Sequence, residues 1–310
     1  MHIKDNTISK VIWMEGKLVP YSEAKVHVLS HSLHYGTAIF EGIRSYQTAQ
    51  GGAAIFRAEE HFKRFLNSIR TLDATTHYTV SDFTRAAVDC IRANGFRDCY
   101  IRPLAYFDDI TRGLQLPDKP RVLIAIAAWE WGRYMGDGQQ NGIRVMVSTY
   151  RRPDVSTSMP FAKFSGGAYL TSALARREST LNKLDEALLL DPEGFVAEGS
   201  GENIFLVKDK TLFTPPTGFI LPGITRESVM QLAEELGYRV KEERISRNQL
   251  YLADELFFTG TAVEITPIVE VDRYPIGDGK PGIITREIND LFFKCVRGEV
   301  PKFKKWLTPL

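Results

Sequence analysis

A lysine set among apolar and small residues is the first place where this sequence suggests covalent chemistry. Lys163 lies in Met159-Pro160-Phe161-Ala162-Lys163-Phe164-Ser165-Gly166-Gly167 and is the only lysine between Lys119 and Lys183. In such company an ammonium gives up its proton more readily, and the neutral amine can attack a carbonyl to form a Schiff base. An ordinary surface charge is the alternative, so the companions of Lys163 decide. Glu198-Gly199-Ser200-Gly201-Glu202-Asn203 places two acids around glycines, directly before the apolar run Ile204-Phe205-Leu206-Val207. Carboxylates beside a buried strand are costly unless paired. A ring nitrogen that must stay protonated is one such partner; the other reading is a loop with two solvated glutamates.

Gly223-Ile224-Thr225-Arg226 falls where a helix begins. The unpaired N–H groups and partial positive charge of a helix start can hold a phosphate, with the Thr225 hydroxyl and the close backbone approach at Gly223 assisting. The alternative is that Thr225 only caps the helix. Thr259-Gly260-Thr261-Ala262 follows the strand Leu256-Phe257-Phe258. Small residues there suit an anion or a ring pressed on backbone, although a plain turn reads alike. Pyridoxal 5'-phosphate (PLP) has a ring nitrogen of the kind that could pair with such a carboxylate. His27, His31 and His34 have helix-like spacing but lack HExxH or an adjacent carboxylate ligand, so no metal site is expected. A serine-elbow pattern is absent.

These groups need elements to hold them. Val11-Ile12-Trp13, the turn Met14 to Lys17, and Leu18-Val19 predict a hairpin, and Ala53 to Phe56 a strand. Phe62, Phe65, Leu66 and Ile69 form a helical stripe. Ser81 is expected to cap a second helix that buries Phe83, Ala87, Cys90 and Ile91 and ends at Asn94-Gly95. Strands follow at 100–107 and 121–128. Then comes an aromatic, glycine-rich stretch from Trp129 to Gly142 that should pack on something. Beyond it the pattern predicts strands at 143–148, 186–190, 204–207 and 255–259, and helices at 169–182 and 225–236. The expected architecture is mixed α and β in two domains: 1–128, an interdomain loop 129–142, and 143–310. Strands do not alternate regularly with helices, which disfavours a doubly wound sheet.

The 310 residues suffice for two cores, and 39 basic against 38 acidic side chains leave a net charge of +1. Neither nucleic acid nor membrane is an expected partner. Cys90, Cys99 and Cys295 are odd in number and far apart, which suits free thiols in a reducing compartment. Met1 to Asn6 carries no signal-like apolar core, and apolar runs such as Val122 to Trp129 are too short to span a bilayer. The expected location is cytoplasmic.

Taken in order, several motifs resemble one family over nearly the whole chain. They are Ala24 to His31, Leu33-His34-Tyr35-Gly36, Phe40-Glu41-Gly42-Ile43-Arg44, Tyr100-Ile101-Arg102-Pro103 and Trp131-Gly132-Arg133-Tyr134. Glu198 to Asn203, Leu221 to Arg226 and Gly260 to Pro267 continue the series. The sequence resembles the branched-chain amino acid aminotransferases. The resemblance implies a fold-type IV PLP enzyme, α/β (α+β), with a smaller N-terminal domain, a larger C-terminal domain and the cofactor at their interface. It implies transfer of the amino group of L-leucine, L-isoleucine or L-valine to 2-oxoglutarate through a Schiff base on Lys163. Arg64, Ile224, Thr225, Gly260 and Thr261 would bind the cofactor's phosphate end, Glu198 its ring nitrogen and Tyr169 its phenolic oxygen. Tyr35, Phe40, Gly42, Tyr100, Tyr134, Gly201 and Ala262 would line the substrate pocket, with Arg102 receiving the glutamate or 2-oxoglutarate side chain. It also implies a homodimer or a larger homo-oligomer, up to a hexamer, in which residues near Tyr35 reach the neighbouring subunit's site.

One departure stands out. Relatives of this kind hold the tyrosine one position nearer the lysine than the six positions from Lys163 to Tyr169. Counting eleven positions forward from Arg152 selects Lys163, so the extra residue is placed after it, where the glycines can absorb a bulge or turn. The rival readings are another fold-type IV enzyme, such as a D-amino acid aminotransferase, an (R)-amine transaminase or an aminodeoxychorismate lyase, and a non-catalytic binding scaffold.

Overall fold

The computed structural model describes residues 9–108 and 112–310, and the targeting-signal reading of Met1 to Asn6 lies outside them. The described residues form two compact units. One holds residues up to Gly132 together with Ala162–Gly166 and Lys294–Leu310; the other holds Arg133–Phe161 and Gly167–Phe293. The segment around Lys163 therefore packs with the first unit, not with the residues that flank it in sequence.

In the first unit an antiparallel sheet runs in the order Leu307–Pro309, Ala53–Phe56, Ile43–Gln47, Cys99–Tyr106, Leu123–Trp129, Val11–Met14, Lys17–Pro20. The expected hairpin forms, with Val11 opposite Pro20 and Met14 opposite Lys17. Its two turn residues, Glu15 and Gly16, both have positive φ, the twist that suits a two-residue hairpin. Helices Ala58–Arg70 and Val80–Asn94 pack together and bury Phe62, Phe65, Ile69, Phe83, Ala87, Cys90 and Ile91. The second helix is capped by Thr79 rather than Ser81. The Asp82 N–H donates to Thr79 Oγ1, and the Thr79 N–H donates to Asp82 Oδ2 at 2.8 Å. This reciprocal pair satisfies two exposed donors at once, which Ser81 inside the first turn cannot do. Gly95 ends the helix in the left-handed conformation, as the sequence suggests.

The second unit is built on a mixed sheet, ordered Val196–Gly199, Glu186–Leu190, Ile143–Arg151, Glu264–Val271, Glu255–Gly260, Asn203–Lys208, Thr211–Thr214, Arg239–Glu242. Ile143–Arg151 runs parallel to both its neighbours, while most other pairs are antiparallel, so the sheet is not doubly wound. Helix Ala168–Leu181 packs on strands Ile143–Arg151 and Glu186–Leu190, and helix Ile224–Glu235 lies against Glu255–Gly260. The aromatic stretch after Trp129 packs as expected. The Tyr100 ring sits 5.0 Å from that of Trp129 and 4.7 Å from that of Trp131, while Tyr134 and Met135 join the core of the second unit. Among the described residues no helix is long and apolar enough to cross a membrane.

Candidate active site

The candidate residues assemble as two groups, one in each unit. The lysine group is built on an added backbone pairing. Segment 163–166 lies antiparallel to 36–40: the Phe40 N–H donates to the Lys163 carbonyl at 3.0 Å, Ser165 to Ala38 at 2.8 Å and Gly166 to Gly36 at 3.0 Å. The Lys163 N–H donates to Ser68 Oγ on helix Ala58–Arg70. The lysine is thus clamped by its own backbone, and its amine stands 4.6 Å from the centre of the Phe40 ring. Burial pulls the amine down to about 8, with the nearby charge of Glu41 opposing the drop and that of Arg64 adding to it. A large fraction of the amine is neutral near pH 8, as a nucleophile requires.

Phe40 is followed by a buried charge cluster. Glu41 is fully buried and accepts from Arg64 Nε at 2.6 Å and Arg64 Nη2 at 2.9 Å, and it pairs with His61 Nδ1 at 2.8 Å. Burial pushes the Glu41 carboxyl upward, but the Arg64 guanidinium and the His61 bond outweigh it and hold the acid far below its usual range. Burial lowers His61 despite the bond to Glu41, which favours its neutral ring. Arg64, on the face of Ala58–Arg70 directed at Glu41, is therefore held by two of its nitrogens in one plane.

Beside this cluster Arg102 lies over three rings, 4.8 Å from the centre of Phe40, 5.2 Å from Tyr100 and 5.6 Å from Trp129. Its Nη2 donates to the Tyr100 hydroxyl at 3.0 Å. A Cβ at Gly42 would overlap that hydroxyl, so this position admits only glycine while Tyr100 stays put. Of the expected pocket residues, Phe40, Gly42, Tyr100 and Arg102 form one apolar wall with a cation. Tyr35 instead stands 43% exposed on the short helix His31–Tyr35, its ring 4.7 Å from that of His31. His31 bonds Thr37 and the Leu114 carbonyl, and His34 bonds the Val28 carbonyl.

In the second unit Glu198 sits on strand Val196–Gly199, not in a solvated loop, and both it and Glu202 are buried. Arg152 forms an ion pair with Glu198 Oε1 at 3.0 Å, while Glu198 Oε2 accepts from Asn203 Nδ2 at 3.1 Å and from the Leu221 N–H at 3.3 Å. Arg152, itself buried, also donates to the carbonyls of Gly199 and Ser200, and to the Ala168 carbonyl and Ser172 Oγ in the helix that carries Tyr169. Glu202 is raised by burial and by the charge of neighbouring Glu186. Burial raises Glu186 as well, although Arg176 opposes it. Register places Asn203 opposite Thr259, which brings the glutamate motif next to Gly260 and Thr261. A Cβ on Gly260 would lie 3.5 Å from the Gly201 carbonyl oxygen.

Helix Ile224–Glu235 starts one residue earlier than expected, with Gly223 as its N-cap and no side-chain cap bond. Thr225 is the second helical residue, so it is not the cap. A helix start that opens on a glycine suits an anion approaching its backbone, and a carboxylate at Glu198 with a Lys163 amine lowered to about 8 suits a ring nitrogen and an aldehyde. The residues present fit PLP.

Comparison with known proteins agrees with this chemistry. The family described as "Amino-transferase class IV" matches residues 38–271. The branched-chain-amino-acid aminotransferase of Pseudomonas aeruginosa is 44% identical over 299 residues, 96% of each chain. The chain belongs to the branched-chain-amino-acid aminotransferase family. Solved structures carry the resemblance to the whole fold. The T.th. branched-chain amino acid aminotransferase with pyridoxamine 5'-phosphate has a TM-score of 0.92 at 44% identity, covering 99% of both chains. The same enzyme complexed with N-(5'-phosphopyridoxyl)-L-glutamate has a TM-score of 0.90, covering 97% of this chain and 98% of that one. The fold is therefore that of the fold-type IV aminotransferases.

The chain between Lys163 and Tyr169 turns at its two glycines. Gly166 packs so tightly on Gly36 that a Cβ would lie 2.7 Å from the Gly36 oxygen. The next residue, Gly167, has φ 57° and ψ −105° and open space around it, and helix Ala168–Leu181 begins immediately after. Tyr169 is the second residue of that helix and is half-buried. Four buried residues of the site were not singled out from sequence as site residues: Glu41, His61, Arg152 and Asn203. Glu41 and Asn203 stand inside motifs that carried the resemblance, and His61 lies on the buried face of the helix that also carries Arg64.

Proposed function

We propose that this protein transfers the amino group of L-leucine, L-isoleucine or L-valine to 2-oxoglutarate, with PLP as cofactor. The observation that carries the proposal is the backbone-clamped Lys163, half-buried and with its amine lowered to about 8, in a chain aligned along nearly its whole length with branched-chain aminotransferases. When bound, PLP supplies an electron sink for the carbon that loses its proton.

The chain's own residues do the rest. Lys163 would hold the cofactor through its amine, and the same amine would move the proton at the substrate α-carbon, which lies within its reach. Glu198 keeps the ring nitrogen protonated. Arg64, Ile224, Thr225, Gly260 and Thr261 bind the phosphate end, and Tyr169 meets the phenolic oxygen. Phe40, Gly42, Tyr100, Tyr134, Gly201 and Ala262 make the apolar pocket, with Tyr35 contributed to a neighbouring subunit. Arg102 receives the side-chain carboxylate of glutamate or 2-oxoglutarate. The T.th. enzyme bound to a phosphopyridoxyl-glutamate supports glutamate as the second amino acid.

The assembly is a homodimer or larger, supported by the exposed apolar residues Val28, Leu33 and Tyr35 gathered in one segment. Three free, buried cysteines support a cytoplasmic location. An amino-donor panel with 2-oxoglutarate tests the reading. L-leucine, L-isoleucine and L-valine should be turned over within about two orders of magnitude of one another, since a methylene is worth only ~1–3 kcal/mol in an apolar pocket. Turnover of D-alanine without turnover of L-leucine would refute it.

A further inference from the structure

The second unit joins two recognition elements through one amide. Asn203 is buried, and its Nδ2 donates both to Glu198 Oε2 at 3.1 Å and to the Leu221 carbonyl at 3.0 Å. The Leu221 N–H returns a bond to the same Glu198 oxygen at 3.3 Å. On the far side of the amide, a Cβ at Gly223 would overlap Asn203 Oδ1, so the turn before helix Ile224–Glu235 closes directly onto this side chain. The Asn203 backbone is fixed independently, in strand register with Thr259.

We propose that Asn203 is a positioning residue for the cofactor. Its amide ties the carboxylate that reads the ring nitrogen to the turn that receives the phosphate, so the two are held as one piece. A side-chain amide has two N–H donors on one nitrogen and so can serve a carboxylate and a carbonyl together. The inference rests on the ring-nitrogen role proposed for Glu198.

The test is titration of the apoprotein with PLP, followed by absorbance and by protein fluorescence, for the wild type, Asn203→Ala, Asn203→Asp, Glu198→Gln and the Glu198→Gln/Asn203→Ala pair. A hydrogen bond to a charged group of this kind is worth about tenfold in binding. Asn203→Ala should therefore weaken PLP binding about tenfold in the wild-type background and less than about twofold beside Glu198→Gln. Asn203→Asp keeps the shape but sets a second carboxylate against Glu198 Oε2. It should bind PLP more weakly than Asn203→Ala at neutral pH and recover towards it as the pH falls. A residue that merely fills space would give the opposite order, with the isosteric aspartate the milder change. Equal losses from Asn203→Ala in both backgrounds, or wild-type affinity in Asn203→Asp, would overturn the proposal. Wild-type affinity in Glu198→Gln would instead overturn the reading on which it rests. If Asn203→Ala does not fold, Gly223→Ala displaces the same amide from its other side and should give the same tenfold loss and the same non-additivity with Glu198→Gln; additive losses there would overturn the proposal.

Discussion

The lysine group and the carboxylate group handle buried charge in opposite ways. Around Lys163 the surroundings disfavour a charge. Burial makes the amine a weaker base, and the neighbouring Glu41 and Arg64 largely cancel one another at hydrogen-bond distance. Around Glu198 the surroundings keep a charge, with Arg152 on one carboxylate oxygen and the donors of Asn203 and Leu221 on the other. A nucleophile that must be neutral and an anion that must stay ionised thus need opposite environments, and each unit supplies one of them.

The largest effect should come from removing the nucleophile. Lys163→Ala should lower the transamination rate by at least ~10³-fold, the upper part of what a positioned acid–base group contributes, while the protein still folds. Stopped-flow assay with L-leucine checks this. Glu198→Gln keeps the shape but not the charge and should cost at least ~10²-fold in kcat, about 2.7 kcal/mol of transition-state stabilisation. If Glu198→Gln proved harmless while Lys163→Ala was dead, the contrast between the two groups would be false.

Glu41→Gln should show mainly as lost stability. It leaves the partly buried Arg64 without its buried charge partner, which costs on the order of 2 kcal/mol, read by urea unfolding of the apoprotein. Gly42→Ala pushes the Tyr100 hydroxyl from its place over Arg102 and should raise KM for the branched substrate more than it lowers kcat. Smallest is a pH effect. The rate at which apoprotein captures PLP needs the neutral amine, so it should rise with pH and level off above about 8. A lysine with an ordinary value would keep gaining up to about 10.4.

Much of this was legible in the sequence because it is local. The stripe of Phe62, Phe65 and Ile69, the left-handed Gly95 and the aromatic packing after Trp129 follow from spacing and residue type, and all are present. The Ser81 cap failed because two residues competed for one helix start, and only Thr79 can exchange bonds with Asp82. Glu41, Arg152 and Asn203 escaped because their work is done across 23, 47 and 18 positions of chain, with Arg64, Gly199 and Leu221. No periodicity reports such pairs. The glycine pair after Lys163 shows both limits. The six positions from Lys163 to Tyr169 can be counted, but that Gly166 is pinned against Gly36 while Gly167 takes the turn depends on a strand pairing across a long stretch of chain, 129 positions from Ser165 to Gly36.

The most direct measurement is covalent. PLP-loaded protein reduced with borohydride, digested and mapped by mass spectrometry should carry the phosphopyridoxyl group on Lys163, in the peptide that follows Arg152. Label on another lysine, or an unmodified Lys163 in PLP-loaded protein from a preparation that transaminates L-leucine, would contradict the account.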